Sequence, residues 1–397
     1  MSPRTEDALI FRGGAGVIKA SLGLAAFGVA LLVVGWFVDP ARAVFAYLAA
    51  YAYAVSIAAG ALIFLMICNA MRARWPVVLR RITEGMAMTL PLLAVLFLPL
   101  LFGLSALYPW LRPETVTDPH ARELLDHKRP YLNEGFFLVR TGIYFAIWIS
   151  VEELVCRWSA RRDRDPHLPV GHKLYAFSSG ALPLVALALV FAAFDWLMSL
   201  SPLWFSTMYP IYYFAGGFLG ALALLTMLTA LLDRRGLLPA LSTSHYYALG
   251  RLLLAFTIFW AYVAYFQFLI IWSANRPDEV EFYLKRTRGP WETVSAALLI
   301  VHFAIPFLLL LSYQLKRVPG ALASVAVWLI AAHYIDVHWL IVPELERGGF
   351  PYSFLDVGAL LAVGGSAVAF GVYRLRGRYL IPIHDEALPE AMRYESV

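Results

Sequence analysis

Ten apolar runs, near 17–38, 43–68, 85–108, 136–156, 174–200, 207–232, 250–273, 291–315, 321–342 and 353–373, take up most of the chain. Each holds roughly 20 residues or more, enough for an α-helix to cross about 30 Å of hydrocarbon. Lipid offers the backbone no hydrogen-bond partners, so uninterrupted runs of this length must satisfy themselves as helices. The expected fold is an all-α polytopic membrane protein of about ten transmembrane helices, residues 1–397 making one integral membrane domain. Composition closes the soluble alternative: 61% of residues are hydrophobic and 15% charged, more apolar surface than a water-soluble fold can cover.

The formal charge of +5 does not mark a nucleic-acid binder. Lys and Arg fall in short clusters between apolar runs, where they act as topology signals instead of forming a basic recognition surface. With the N-terminus inside, the inner segments carry Arg72, Arg74, Arg80, Arg81, Arg157, Arg161, Arg162, Arg164, Lys173, Arg234, Arg235, Arg251, Lys316, Arg317, Arg374, Arg376 and Arg378. The outer loops carry fewer, balanced by acids such as Asp118, Glu123, Asp126, Asp278 and Glu279. Both termini are therefore expected in the cytoplasm, the protein sitting multi-pass in an inner (cytoplasmic) membrane. The first run precedes Ala41-Arg42-Ala43, a superficial likeness to a signal-peptidase site. It is too long for a secretory core and is expected to be retained. Cys68 and Cys156 are too few for a disulfide framework or a thiolate metal site. The outer loops near 109–135 and 274–290 mix charges with aromatic residues, and are expected to dock a partner or cap a site.

The fifth run ends on Asp195-Trp196, and the ninth on Asp336-Val337-His338-Trp339. An Asp just before a Trp at the outer end of two runs four spans apart suggests a parallel repeat. The expected units are one four-helix bundle at 43–200 and another at 207–342, with peripheral helices at 17–38 and 353–373.

An ionisable group inside a span costs about 2.5–3.5 kcal/mol on insertion scales, so each needs a reason. The candidates are Arg140, Glu152, Glu153, Asp195, His302, His333, Asp336, His338 and Asp356. On the inside-first topology they divide into an outer polar cluster and an inner carboxylate pair, Glu152 and Glu153. His333 and Asp336 lie on one helix face, close enough to hydrogen-bond, and such a pair can take protons from a quinol hydroxyl. Asp195 and Asp336 are candidate lone acids, although Arg140 is also expected to pair with Asp195 or another acid. His302 precedes Pro306, so it is either functional or bonded to a carbonyl that the proline frees. Tyr209, Tyr212, Tyr213 and Phe214, with Trp260, Tyr262, Tyr265, Phe266 and Gln267, either pack together or line a quinone slot. Gly216, Gly217 and Gly220 suit close helix contact. Haem through His245, His302, His333 and His338 is the cofactor alternative. The one same-helix pair, His333 and His338, faces two ways, so haem is not expected.

The stretches Phe191 to Thr207 (FAAFDWLMSLSPLWFST), Phe259 to Gln267 (FWAYVAYFQ), Ile271 to Asn275 (IWSAN), His302 to Phe307 (HFAIPF) and His333 to Asp336 (HYID) resemble the ActF-type subunits of bacterial alternative complex III. Those subunits belong to the NrfD/PsrC-like quinone-interacting membrane proteins, and the likeness covers most of spans four to nine. It implies ten helices in two four-helix bundles and a place in a quinol:electron-acceptor (cytochrome c) oxidoreductase. It also implies partners: a sister NrfD-like membrane subunit, a periplasmic iron–sulfur subunit, c-type cytochromes and lipids. The chain itself would carry no redox centre and no covalently bound cofactor, with quinone or quinol as the small molecule. By carry-over, Asp195, His302, His333 and Asp336 are the proton-relay or quinone-site residues. Glu152, Glu153, Arg140, His338 and Asp356 would serve a proton path. A secondary transporter and a non-catalytic assembly scaffold of the same complex are the rival readings.

Overall fold

The computed structural model describes residues 10–116, 118–163, 165, 167–168, 170–345 and 350–396. Among the described residues ten segments are long and apolar enough to cross a membrane: α1 (Ala15–Val38), α2 (Pro40–Ala70), α3 (Trp75–Leu101), α4 (Glu134–Arg162), α5 (Val170–Leu200), α6 (Tyr209–Arg234), α7 (Thr243–Ala274), α8 (Pro290–Leu311), α9 (Pro319–Leu345) and α10 (Phe354–Leu375). The chain is an all-α, multi-pass membrane protein. Among the described residues the one extended pairing is an isolated bridge between Ile10 and Tyr379. With the backbone bonds Phe11 N–H to Arg378 O and Gly377 N–H to Phe11 O, both 2.9 Å, it ties the two ends of the chain together at one end of the bundle, the terminal face.

Local sequence sets the helix starts. Proline in the first turn opens α2, α6, α8 and α9, where its missing N–H costs nothing. Helix α7 begins well before its apolar run, because Ser242 and His245 form a reciprocal cap that draws polar residues into the first turn. Span α3 is broken into short helical pieces around Pro91 and Pro99. Two tyrosines one turn apart on α2 repair the break: Tyr51 donates to Leu93 O at 3.0 Å and Tyr47 to Leu96 O at 2.8 Å.

Helix α2 is the hub, packing against α3, α5, α6, α9 and α10. Its buried alanines, among them Ala46, Ala49, Ala52 and Ala59, let the neighbouring backbones approach closely. The first and last spans lie against each other along their length. Gly28 of α1 makes this possible, since a Cβ there would fall 2.4 Å from Gly358 O. The two long loops on the opposite face each fold a short helix, Pro119–Lys128 and Pro277–Arg286. The second is pinned down: buried Arg286 donates to Trp339 O at 3.1 Å and Leu340 O at 2.7 Å, and meets Glu344 at 2.9 Å. This loop is a cap over the end of α9.

Candidate functional site

The expected outer cluster resolves into three separate centres. In the first, Arg140 of α4 grips Asp195 of α5 with two parallel bonds, Nε to Oδ2 at 2.7 Å and Nη2 to Oδ1 at 2.9 Å. Tyr144 Oη, one turn along α4, donates to Oδ2 at 2.6 Å, and Arg140 Nη1 reaches Tyr131 O at 2.9 Å. Asp195 is therefore not a lone acid. A bidentate guanidinium fixes its orientation.

The second centre surrounds Asp336 of α9, 1% exposed. Tyr212 Oη of α6 and Trp260 Nε1 of α7, the latter at 3.1 Å, both donate to its carboxylate. His302 Nδ1 and His333 Nδ1 each stop 3.9 Å from Oδ2. The expected hydrogen bond between His333 and Asp336 is thus absent, because His333 turns its Nε2 to Ser56 Oγ of α2 at 2.9 Å. That leaves His333 Nδ1 and both ring nitrogens of His302 buried without a hydrogen-bond partner. Gly216 and Gly220 of α6 make room, as a Cβ on either would lie 3.0 Å or less from the His333 ring.

His302 does not bond a carbonyl freed by Pro306. It sits in a π-helical turn, Leu299–Ala304, which widens α8 just before the proline. Trp328 Nε1 donates to Val301 O at 2.7 Å across that turn, and the His302 ring lies 4.0 Å from that of Trp260. The residues proposed for a quinone slot diverge. Tyr209, Tyr212 and Tyr213 are buried, and Tyr213 donates to Ala52 O at 2.6 Å. Tyr262 and Tyr265 face outward. Tyr212 and Trp260 instead pack together, their ring centroids 5.7 Å apart, as they meet Asp336.

The third centre holds Asp356 of α10. Its side chain caps its own helix at Ser353 N (2.7 Å), accepts from Arg42, and meets His338 Nε2 at 3.1 Å. His338 follows Asp336 by two residues, so it points to another side of α9. The four histidines considered for haem do not converge, since His245 caps α7 near the terminal face while His338 is bound to Asp356.

Glu152 and Glu153 lie 12 and 13 residues beyond Arg140 on α4, about 18 Å along the helix. Glu152 is fully buried and Glu153 half-buried, yet Arg374 Nη2 reaches both, at 3.4 and 2.6 Å. Nearby is a pairing absent from the expected set. Arg81, 1% exposed, bonds Glu84 at 2.6 Å, Ser159 Oγ at 3.0 Å and also Asp163. Burial pushes the Asp163 carboxyl up to about 6, against the opposing pull of Arg81. Tyr144, Ser56 and Arg42 were likewise missed, and Tyr212 was expected only in an aromatic slot, not as a donor to Asp336. Only the Arg81–Glu84 pair carried a usable signal, two opposite charges three apart at the mouth of an apolar run.

The chain also has a cavity of about 500 Å³ at the terminal face and a narrower crevice beside it. Neither is lined by Asp195 or Asp336. Among the described residues no group of three or more His, Cys, Asp and Glu is placed to hold a metal ion. Comparison of the sequence with protein-family models and with curated proteins found no match in either.

Proposed function

We propose that the chain is a proton-handling, quinone-interacting membrane subunit of a quinol:electron-acceptor oxidoreductase, seated in a bacterial cytoplasmic membrane with its terminal face inward. The observation that carries this reading is the Asp336 centre. A carboxyl group buried among four helices, with no Arg or Lys paired to it among the described residues, faces two imidazoles at 3.9 Å whose unpartnered nitrogens point into the same space. Were that gap to close, a carboxyl–imidazole contact would pass protons readily near neutral pH. Inside a membrane, where an ionisable group without a fixed counter-charge is costly, proton exchange is the default role. In this reading Asp336 accepts or relays a proton, His302 and His333 are its exchange partners, and Tyr212 and Trp260 hold it in place. Glu152, Glu153 and Glu84 form the approach from the terminal face. Electrons would travel in partner iron–sulfur and cytochrome subunits. The close packing around Asp336 favours a proton role over quinol turnover at this acid.

The test is Asp336→Asn in the intact complex. Asn keeps the volume and still accepts a hydrogen bond, so the complex should assemble while quinol oxidation or proton release slows. Unchanged turnover and proton yield would falsify the role of this acid.

The saturated pairs at Asp195 and Asp356 favour a second reading, a non-catalytic assembly scaffold. On that view every variant at Asp336 alters assembly or stability and leaves proton yield per quinol intact. A secondary transporter would instead show solute flux in proteoliposomes of the isolated chain.

A further inference from the structure

A neutral imidazole carries its proton on one nitrogen only, and for His333 the choice is made on the side of the ring turned away from Asp336, at Ser56. A serine hydroxyl has one proton to give and two lone pairs with which to accept. Ser56 Oγ lies 2.8 Å from Tyr53 O, one turn back on α2, and 2.9 Å from His333 Nε2. A carbonyl can only accept, so the bond to Tyr53 O uses the one proton that Ser56 has, the back-bonding that serine commonly adopts within helices. In its contact with Ser56, Nε2 is then the donor.

The opposite assignment loses a bond. If Ser56 gave its proton to Nε2, the bond to Tyr53 O would go, and the imidazole proton would sit on Nδ1. That nitrogen has no hydrogen-bond partner and lies 3.9 Å from Asp336 Oδ2. One bond would replace two, and a buried N–H would be left without an acceptor. The ring is also held in place by its walls. A Cβ at Gly220 would fall 2.7 Å from His333 Cδ2, and one at Gly216 would fall 3.1 Å from both Nδ1 and Asp336 Oδ2. Helix α6 therefore lies against the ring and puts no side chain beside the gap between Nδ1 and the acid. His302 has no such anchor, as neither of its ring nitrogens has a partner.

We propose that Ser56 is a positioning residue: it holds neutral His333 with its proton on Nε2, so that Nδ1, the nitrogen nearest Asp336, keeps its lone pair and is the first acceptor of that acid's proton. When the two groups close to bonding distance, the Oδ2–H bond breaks and the Nδ1 lone pair takes the proton. The electron pair stays on Oδ2, and the imidazolium so formed remains held by Ser56 through Nε2–H. The acceptor role rests on the proton-handling reading of Asp336; the tautomer does not.

Solid-state nitrogen NMR of the full chain, isotopically labelled at histidine and embedded in lipid bilayers near neutral pH, reads the tautomer, because protonated and bare ring nitrogens resonate far apart. The His333 signals are assigned by their loss in His333→Gln. Wild-type His333 should carry its proton predominantly on Nε2. Ser56→Ala should lower the ratio of Nε2–H to Nδ1–H about fivefold, the worth of one hydrogen bond, with an unaltered melting profile showing that variant folded. A predominantly Nδ1–H ring in the wild type, or an unchanged ratio in folded Ser56→Ala, would overturn the assignment. In the intact complex Ser56→Ala should slow proton release about twofold, as fewer rings are poised to accept. If Asp336→Asn slows release and Ser56→Ala does not, the acceptor role falls while the reading of Asp336 stands. If neither slows it, that reading falls and the tautomer is left as a structural fact.

Discussion

Arg140→Met separates a structural Asp195 from a working one. Methionine keeps the unbranched stem and removes the guanidinium, leaving the Asp195 carboxylate, 0% exposed, with the Tyr144 hydroxyl at 2.6 Å. The change deletes the bonds to Asp195 at 2.7 and 2.9 Å and the bond to Tyr131 O at 2.9 Å. It also deletes the stacking over the Tyr131 and Phe136 rings at 3.9 and 4.3 Å. Breaking one side of a buried ion pair costs about 3–5 kcal/mol, because the remaining charge is stranded. That corresponds to a shift of roughly a hundredfold or more in the unfolding equilibrium. Arg140→Met/Asp195→Leu removes both charges and should recover most of the loss, short of about 1 kcal/mol for the Tyr144 hydroxyl left unpaired. Unfolding in bicelles followed by tryptophan fluorescence gives the cycle, since Trp196 and Trp148 pack beside the pair. A loss below about 1 kcal/mol in Arg140→Met, or a double variant no more stable than the single, would show that the pair is not what holds α4 to α5.

Gly220→Ala places a Cβ 2.7 Å from His333 Cδ2 and 3.2 Å from Ile57 Cγ1, so it should cost about 1–3 kcal/mol in the same assay. Gly364→Ala, with nothing within 4 Å of its Cβ, should be neutral or stabilising by up to about 1 kcal/mol; equal effects would contradict the packing described for α6 against α9. Burial raises the Asp163 carboxyl to about 6 from 3.8, so the folded chain holds that proton more tightly than the unfolded one. Its contribution to stability is therefore present at low pH and is lost as pH rises between about 4 and 6. Asp163→Asn should flatten that decline in melting temperature; a wild-type-like slope would show that other groups cause it. Asp385 acts in the opposite sense: Arg80 and Arg162 outweigh its burial and hold it low, so its contribution disappears only as pH falls below about 4.

The spans were legible because lipid imposes one rule, internal backbone satisfaction, that any apolar run of sufficient length must obey. The pairing of Arg140 with Asp195 could also be anticipated, since a guanidinium inside a span has few other means of support. What sequence could not give was the rotamer. His333 and Asp336 share a face of α9, yet Ser56, on a helix 277 residues away in sequence, decides which way the imidazole turns. Arg42 lay within a tripeptide resembling a cleavage site; its partner Asp356 is 314 residues distant. The π turn at His302 was hidden because Pro306 signals a kink without specifying how the helix absorbs it.

Asp195 and Asp336 occupy matching places in the suggested repeat, and the difference between them explains why one is a fastening and the other a candidate for chemistry. Asp195 is met from the preceding span, α4, by Arg140, a cation that stays charged at any pH the protein experiences. Asp336 is met from its own preceding span, α8, by His302, a group whose charge depends on whether a proton is present. The guanidinium closes on its acid at 2.7 Å, whereas the imidazole stands off at 3.9 Å on a widened turn of helix. A fixed ion pair gains from short contact and has no state to switch between. On the proposed reading, an acid facing a titratable partner across a gap of 3.9 Å has two, and the π turn at Leu299–Ala304 is where α8 would give.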